Sequence, residues 1–239
     1  GALPQRVVRS ILTWRVEHGG ELLAMTRFQD HLDDWPVLNY ARALLETGEI
    51  DRYLLLLCAH LAHHQAAGWL AAPEQATILP DESGVRRYHA GQVVPCQVVT
   101  PQMLRWALAY EPRDAEMLMV APAVPVHWLL ADERPPGWKR APRVGGEFAP
   151  PVDGRSASDG HEGLTVQGLP TRWGRIDLSM ARTDAGVEVE LRLPDGVPEV
   201  GVRLPLDDGE VLQRAHIDGG LMLEVADDGP GIPQEARDR

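Results

Sequence analysis

The sequence predicts an α+β protein in which antiparallel helical hairpins are followed by a small antiparallel β-sandwich. Apolar residues recur at helical spacing in the first half of the chain, beginning with residues 3–16. In the last third, apolar and polar residues alternate, which is typical of strands with one buried face. Between these parts, residues 134–163 follow neither period and are rich in Pro, Gly and Ser. We therefore expect a helical domain at 1–133, a linker or surface loop at 134–163 and a β-sandwich domain at 164–239.

Residues that start and stop helices divide the first half into roughly five helices. Pro36 suits the first turn of one helix, and Gly48 closes it. A histidine-bearing helix follows at 51–65, and Thr100 with Pro101 provides an N-cap and a first-turn proline for a later helix. Short links between such helices indicate antiparallel neighbours.

The alternation in the last third predicts three strands. Turns are predicted at Asp-Ala-Gly, 184–186, between the first two strands, and at Asp-Asp-Gly, 207–209, after the third. The apolar positions of the strands are Ile176, Leu178 and Met180, then Val187, Val189, Leu191 and Leu193, then Val200, Val202, Leu204 and Leu206. One wet face and one apolar face favour antiparallel sheets that pack as a sandwich.

The composition excludes two kinds of partner. The chain carries 23 Lys and Arg against 35 Asp and Glu, with a formal net charge of −12. Because binding to a phosphate backbone depends on clustered basic residues, we expect no nucleic-acid partner. No apolar run approaches the ~20 residues of a membrane-spanning helix, so we expect no membrane partner. The longest run, Leu54–Ala59, is predicted to lie in the core.

Two features bear on nucleotide binding. Lys139, the only lysine, lies in Pro-Gly-Trp-Lys-Arg and not in a Gly-rich loop, which excludes a Walker A site. Residues 223–233 resemble the Asp-x-Gly-x-Gly box of histidine-kinase ATPase domains. That family also needs an upstream asparagine for Mg²⁺, whereas Asn39, the only asparagine, lies far away in the helical half. We therefore interpret 223–233 as a strand that ends in an acidic turn.

The two cysteines do not form a disulfide framework. Cys58 lies among leucines in a predicted helix and is expected to be a buried thiol. Cys96 follows a proline in a predicted loop, with no neighbouring feature that favours a reactive thiolate.

Three histidines share the predicted helix at 51–65. The helical step places His60, His63 and His64 within about a third of the circumference. His60 and His64 have the spacing of a metal-binding pair, but the glutamate of a zincin motif and a clear third ligand are missing. We therefore predict no metal and no other cofactor, and interpret the histidines as a polar helix face near a cleft.

Three carboxylates are candidates for catalysis. Glu74 lies in Ala-Pro-Glu-Gln just after the histidine helix, and a carboxylic acid among apolar neighbours suits general-acid catalysis. Asp33 and Asp34 lie in an acidic, aromatic stretch and could supply the second carboxylate that glycoside hydrolysis requires. The alternative for each is a solvated loop or capping residue.

Aromatic and polar side chains accompany these carboxylates. Arg105 and Trp106 on one helix could offer a fork of donors and a stacking face to a sugar or carboxylate, with a core position as the alternative for Trp106. The candidate substrate-binding residues are His31, Trp35, His64, Trp69, Arg105 and Trp106.

The order of these features is similar to that of a known family. An Ala-Pro-Glu loop after a histidine-bearing helix is followed by Pro-Cys-Gln, an Arg-Trp helix, Val-Pro-Val-His-Trp-Leu at 124–129 and Leu-Pro-Thr-Arg-Trp-Gly-Arg-Ile at 169–176. This order resembles the C-terminal part of bacterial (α/α)6-toroid proteins related to glycoside hydrolases, over most of residues 1 to 206. The resemblance implies a toroid-type helical domain with a carbohydrate-handling cleft at its mouth, near Glu74 and residues 30–34.

Two functional hypotheses follow. The first is a glycoside-hydrolase-like protein that binds or cleaves a glycan with a carboxylate pair. The second is a non-catalytic carbohydrate- or protein-binding module that uses its Trp and Arg residues for recognition and self-associates through an exposed apolar helix face.

Overall fold

The computed structural model describes residues 3–64, 72–91, 93–129, 163–183, 186–204 and 223–226. The chain divides into two compact units, Gly1–Ala123 and Val124–Arg239. Apart from Gly163, the predicted linker at 134–163 lies outside the described residues, so the predicted domain boundaries stay predictions.

The helices of the first unit do not all have the predicted bounds: the helix that carries Arg105 begins at Val99, so the predicted N-cap at Thr100 is wrong. In the described part of this unit the helices are α1 (Gln5–Glu17), α2 (Val37–Thr47), α3 (Ile50–His63), α4 (Val94–Gln97) and α5 (Val99–Leu108). The predicted end of α2 at Gly48 is confirmed. Gly48 adopts φ 75°, and its N–H donates to the carbonyl of Leu45 at 3.1 Å, which closes the last turn. α2 packs against α1, α3 and α5.

A five-stranded antiparallel sheet lies beside these helices. Its strands, in spatial order, are β1 (Glu21–Leu22), β2 (Met25–Phe28), β3 (His31–Asp33), β4 (Gln75–Thr77) and β5 (Tyr88–His89). A further short pair joins β6 (Ala109–Tyr110) to β7 (Leu118–Val120). The prediction of a domain built from toroid-type helical hairpins is therefore wrong, because short helices are combined with a five-stranded sheet in the described part of the first unit.

The local chain geometry explains why the sequence does not predict this sheet. β1 and β2 are joined by Leu23 and Ala24, which have φ 54° and 59°, and Gln29 in the next turn has φ 57°. Such turns normally use Gly, Asn or Asp, which tolerate positive φ, so this hairpin lacks the usual turn signal. Strands of two to four residues are also too short to show alternation.

The second unit contains the strands that alternation predicted, in a different arrangement. β8 (Leu164–Thr171), β9 (Gly174–Thr183) and β10 (Gly186–Arg192) form an antiparallel meander in the order β10-β9-β8. β11 (Val200–Arg203) and β12 (Leu223–Ala226) pair in parallel. The β-sandwich prediction is wrong for the described residues, since a parallel pair needs a crossover that strand periodicity does not encode.

The core of the first unit is formed by side chains of both helices and strands, among them Leu32 of β3 and Leu118 of β7. Tyr53, Leu56 and Met103 are fully buried, and the Tyr53 hydroxyl donates to the Met103 carbonyl at 2.6 Å, which ties α3 to α5. Burial raises the pKa of the Tyr53 phenol, so the phenol remains a hydrogen-bond donor. In the second unit, β9 buries the predicted apolar side chains of Ile176, Leu178 and Met180.

Two predictions about the histidine helix are corrected by the structure. The run Leu54–Ala59 is not core throughout, because Leu55 is 45% exposed while Leu56 is buried. Cys58, predicted to be buried, is exposed. Four consecutive leucines have no periodicity, so the sequence does not show which of them face the core.

Candidate functional site

The pairing of β3 with β4 brings together the backbone segments that carry the predicted catalytic carboxylates. Asp33 is registered opposite Gln75, and the N–H of Asp34 donates to the carbonyl of Glu74 at 2.7 Å. Residues that are far apart in the chain thus lie on adjacent segments. Glu74 is also held on its other side, since its N–H donates to the carbonyl of Ala90 at 3.0 Å.

Asp33 uses both carboxylate oxygens to organise its surroundings. Oδ1 accepts the backbone N–H of Trp35 at 2.9 Å, and Oδ2 accepts the side-chain amide of Gln75 at 3.3 Å. The first bond closes a local turn of the kind that aspartate side chains favour. Trp35 is 58% exposed, so this turn presents an indole ring to solvent.

A set of polar residues faces outward from β3, β4 and β5. His31 and Asp33 share one face of β3 because side chains alternate along a strand, and Gln75 pairs with His89 on β5. The rings of His31 and His89 meet edge to face, with centroids 4.9 Å apart. We call His31, Asp33, Trp35, Gln75 and His89 the polar face.

The opposite side of β3 is buried, and we call it the dry side. Asp34 is buried, and its Oδ1 accepts a hydrogen bond from Nδ1 of His60 on α3 at 2.8 Å, with both side chains fully buried. A bound substrate cannot reach the Asp34 carboxylate in this structure. Of the carboxylates that the sequence singled out, Asp33 and Glu74 are thus the ones within reach of solvent.

His64 also lies on the dry side of β3. Its Nε2 donates to the carbonyl of Leu32 at 3.2 Å, and its ring stacks on that of His60 with centroids 6.0 Å apart. The predicted polar, cleft-lining position of His64 is therefore wrong, because the ring is fully buried. Burial lowers the pKa of His64; Asp34 acts in the opposite direction, and His60 and Arg86 lower it further.

Cys96 belongs to the same buried cluster, which the sequence did not reveal. The residue lies in α4 rather than in a loop and is fully buried. Burial raises the pKa of its thiol to about 12, and the negative charge of Asp34 adds to this effect. The thiol therefore stays protonated and is a poor nucleophile.

Several buried polar atoms of this cluster have no hydrogen-bond partner in the described part of the chain. They are Oδ2 of Asp34, Nε2 of His60 and Nδ1 of His64. Among the described residues, no group of three or more His, Cys, Asp or Glu side chains is arranged to hold a metal ion. The paired histidines contact the Asp34 carboxylate and the Leu32 carbonyl.

The remaining predicted binding residues lie elsewhere or outside the described residues. Arg105 on α5 forms an ion pair with Glu111, and the Trp106 ring packs edge to face on Tyr110 at 5.8 Å. Neither contact involves a residue of the polar face. Trp69 lies outside the described residues. Conversely, Gln75, His89 and His60 take part in the site without having been predicted as binding residues.

Two predictions about partners remain predictions. α1 exposes Ile11, Trp14 and Val16, which is the kind of apolar helix face through which self-association was predicted. In the described part of the chain, no helix combines the length and the hydropathy needed to cross a bilayer.

The fold and the site define a mixed α and β protein with a solvent-facing polar sheet face above a buried aspartate–histidine pair. No protein family, no curated protein and no solved structure matches the chain. The resemblance to toroid glycoside hydrolases therefore has no support from these comparisons.

Proposed function

We propose that the chain binds a glycan on the polar face. The observation that carries this proposal is the double role of Asp33, which holds the exposed Trp35 turn with one oxygen and the Gln75 amide with the other. Sugars present apolar C–H surfaces beside hydroxyl groups. An indole ring suits the apolar surface, and fixed polar side chains suit the hydroxyls.

The rigidity of the polar face supports the same function. Asp33, Gln75 and His89 lie on strands that pair with one another, so their positions are set before a ligand arrives. Binding then requires little ordering of the protein, which lowers the entropy cost of association. The carboxyl, amide and imidazole groups together offer both donors and acceptors to sugar hydroxyls.

The proposal predicts that Trp35→Ala weakens glycan binding at least ~10-fold, because a central aromatic contact is lost. The measurement is isothermal titration of purified protein with neutral, amino-sugar and uronic-acid oligosaccharides. Trp14→Ala is the matched control, since Trp14 on α1 is 57% exposed and lies outside the polar face. Wild-type affinity in Trp35→Ala, or no binding of any oligosaccharide by the wild type, would contradict the proposal.

A second candidate function is hydrolysis of the bound glycan. It is favoured by the pairing of β3 with β4, which places Glu74 beside the Asp33–Asp34 segment with both its N–H and its carbonyl held. Glycoside hydrolysis uses two carboxyl groups, one as general acid and one as base or nucleophile. Glu74 would be the acid, and Asp33 would be its solvent-accessible partner.

For this candidate, Glu74→Gln is expected to reduce hydrolysis by about 100-fold or more, because the amide cannot donate the proton. Glycan affinity and the thermal midpoint should stay close to wild type, since the shape of the side chain is kept. Release of reducing ends from the oligosaccharide that binds best measures the rate. Glu82→Gln, at an exposed glutamate, is the control. Full activity in Glu74→Gln would exclude Glu74 as the acid.

A further inference from the structure

We propose that His60 and His64 form a two-point clamp that positions β3, and with it the polar face, and that the clamp is released when His64 takes up a proton. This proposal rests on the proposed glycan binding only for its functional consequence. The clamp itself is a property of the fold and can be measured without a ligand.

The clamp consists of two hydrogen bonds from one helix to one strand. His60 and His64 are one turn apart on the same side of α3 and at its C-terminal end, so both rings reach β3. His60 donates to the Asp34 carboxylate at 2.8 Å, and His64 donates to the Leu32 carbonyl at 3.2 Å. The rings stack with an interplanar angle of 12°, which keeps the two donors aligned.

The two clamped residues flank Asp33. Leu32 and Asp34 point to the dry side of β3 and are 2% and 1% exposed, whereas Asp33 between them points to the polar face. β3 has only three residues. Because the residues on both sides of Asp33 are held, the conformational freedom of Asp33 is limited. Asp33 in turn holds the Trp35 N–H, so a displacement of β3 would also displace the indole ring.

The clamp requires a neutral His64 ring, because the ring is buried and a charge on it would be unfavourable. A carbonyl only accepts, so the contact with Leu32 requires hydrogen on Nε2 and leaves Nδ1 without a proton in the neutral ring. Nδ1 has no hydrogen-bond partner among the residues that the structure describes. A proton there would add a buried positive charge near His60 and Arg86. Burial lowers the pKa of His64 and outweighs the Asp34 charge and the Leu32 carbonyl, which favour the charged ring. A buried charge is unfavourable unless it is paired.

The sign of the pH effect follows from these surroundings. Burial lowers the pKa of folded His64 below its ordinary value of 6.5, so the unfolded chain takes up the proton more readily. The contribution of neutral His64 to stability is therefore complete above pH 6.5 and is lost as the pH falls through the folded-state pKa. Glycan affinity is expected to decrease over the same range.

The experiment combines amide hydrogen exchange with titration of the best-binding oligosaccharide, at about pH 7.5 and about pH 5.5. His64→Leu removes the donor, and exchange in peptides covering residues 31–35 should become at least ~5-fold faster, with weaker glycan binding. His64→Gln keeps an N–H at the position of Nε2 but does not titrate, so it should keep the wild-type protection and affinity at both pH values. His63→Gln is the control, because the hydrogen bond of His63 is with Arg86 and is not one of the two clamp bonds.

Unchanged exchange of residues 31–35 in His64→Leu overturns the clamp. Faster exchange with wild-type affinity overturns the proposal that the clamp positions the polar face for binding. If His64→Leu does not fold, His64→Gln decides: a pH response like that of the wild type overturns the proposal. A wild type that binds no oligosaccharide refutes the proposed function, whereas exchange still reports on the clamp.

Discussion

Asp34→Ala is expected to lower the free energy of unfolding by about 3–5 kcal/mol. The carboxylate and its partner His60 are both fully buried, so removing one leaves the other without its hydrogen bond in the core. The substitution also opens a small cavity between β3 and α3. Urea unfolding followed by far-UV circular dichroism measures the loss.

The neighbouring residue provides the control for this prediction. Asp33→Ala removes bonds to the Trp35 N–H and the Gln75 amide, both at a solvent-accessible face, and is expected to cost about 1 kcal/mol. Asp34→Ala combined with His60→Ala should cost clearly less than the sum of the two single changes. The prediction is contradicted if the effects of Asp34→Ala and His60→Ala on the free energy of unfolding are additive in the double variant. It is also contradicted if Asp33→Ala and Asp34→Ala lower this free energy equally. Either result would show that the buried pair does not stabilise the fold.

Leu56→Ala is expected to destabilise the first unit by about 2–5 kcal/mol. Leu56 is fully buried where α3 packs against α2 and α5, and truncation leaves a cavity that the surrounding helices cannot close completely. Leu55→Ala is the matched control, because this adjacent leucine is 45% exposed. Leu55→Ala should change the free energy of unfolding by no more than about 0.5 kcal/mol.

Thermal unfolding measured by calorimetry distinguishes these outcomes. A large decrease in the midpoint for Leu56→Ala together with a small change for Leu55→Ala is the expected result. Similar midpoints for the two variants would mean that the packing face of α3 is assigned wrongly.

The features that the sequence predicted correctly are those set by local physics. The alternation at Ile176, Leu178 and Met180 placed these residues on the buried face of β9, because a strand sends successive side chains to opposite faces. Gly48 marked the end of α2, because that position needs a positive φ. The catalytic role predicted for Asp33 and Glu74 from their residue types stays a prediction.

The five-stranded sheet could not be read in the same way. Its strands are held by pairing between segments that are distant in the chain, and its first hairpin turns through Leu23 and Ala24 instead of glycine. A weak signal was present, however, since Leu32 lies between the polar residues His31 and Asp33, as expected of a short half-buried strand.

By itself, the sequence determined the acidic character of the chain, the strand period of its last third and the residue types on which a binding site can be built. The tertiary structure alone decided that Asp33 faces solvent while Asp34 is buried against His60, and that His64 binds the Leu32 carbonyl. The physical reason is that composition and period are local properties. Burial and pairing depend on which distant segment lies opposite, and only the folded chain specifies that.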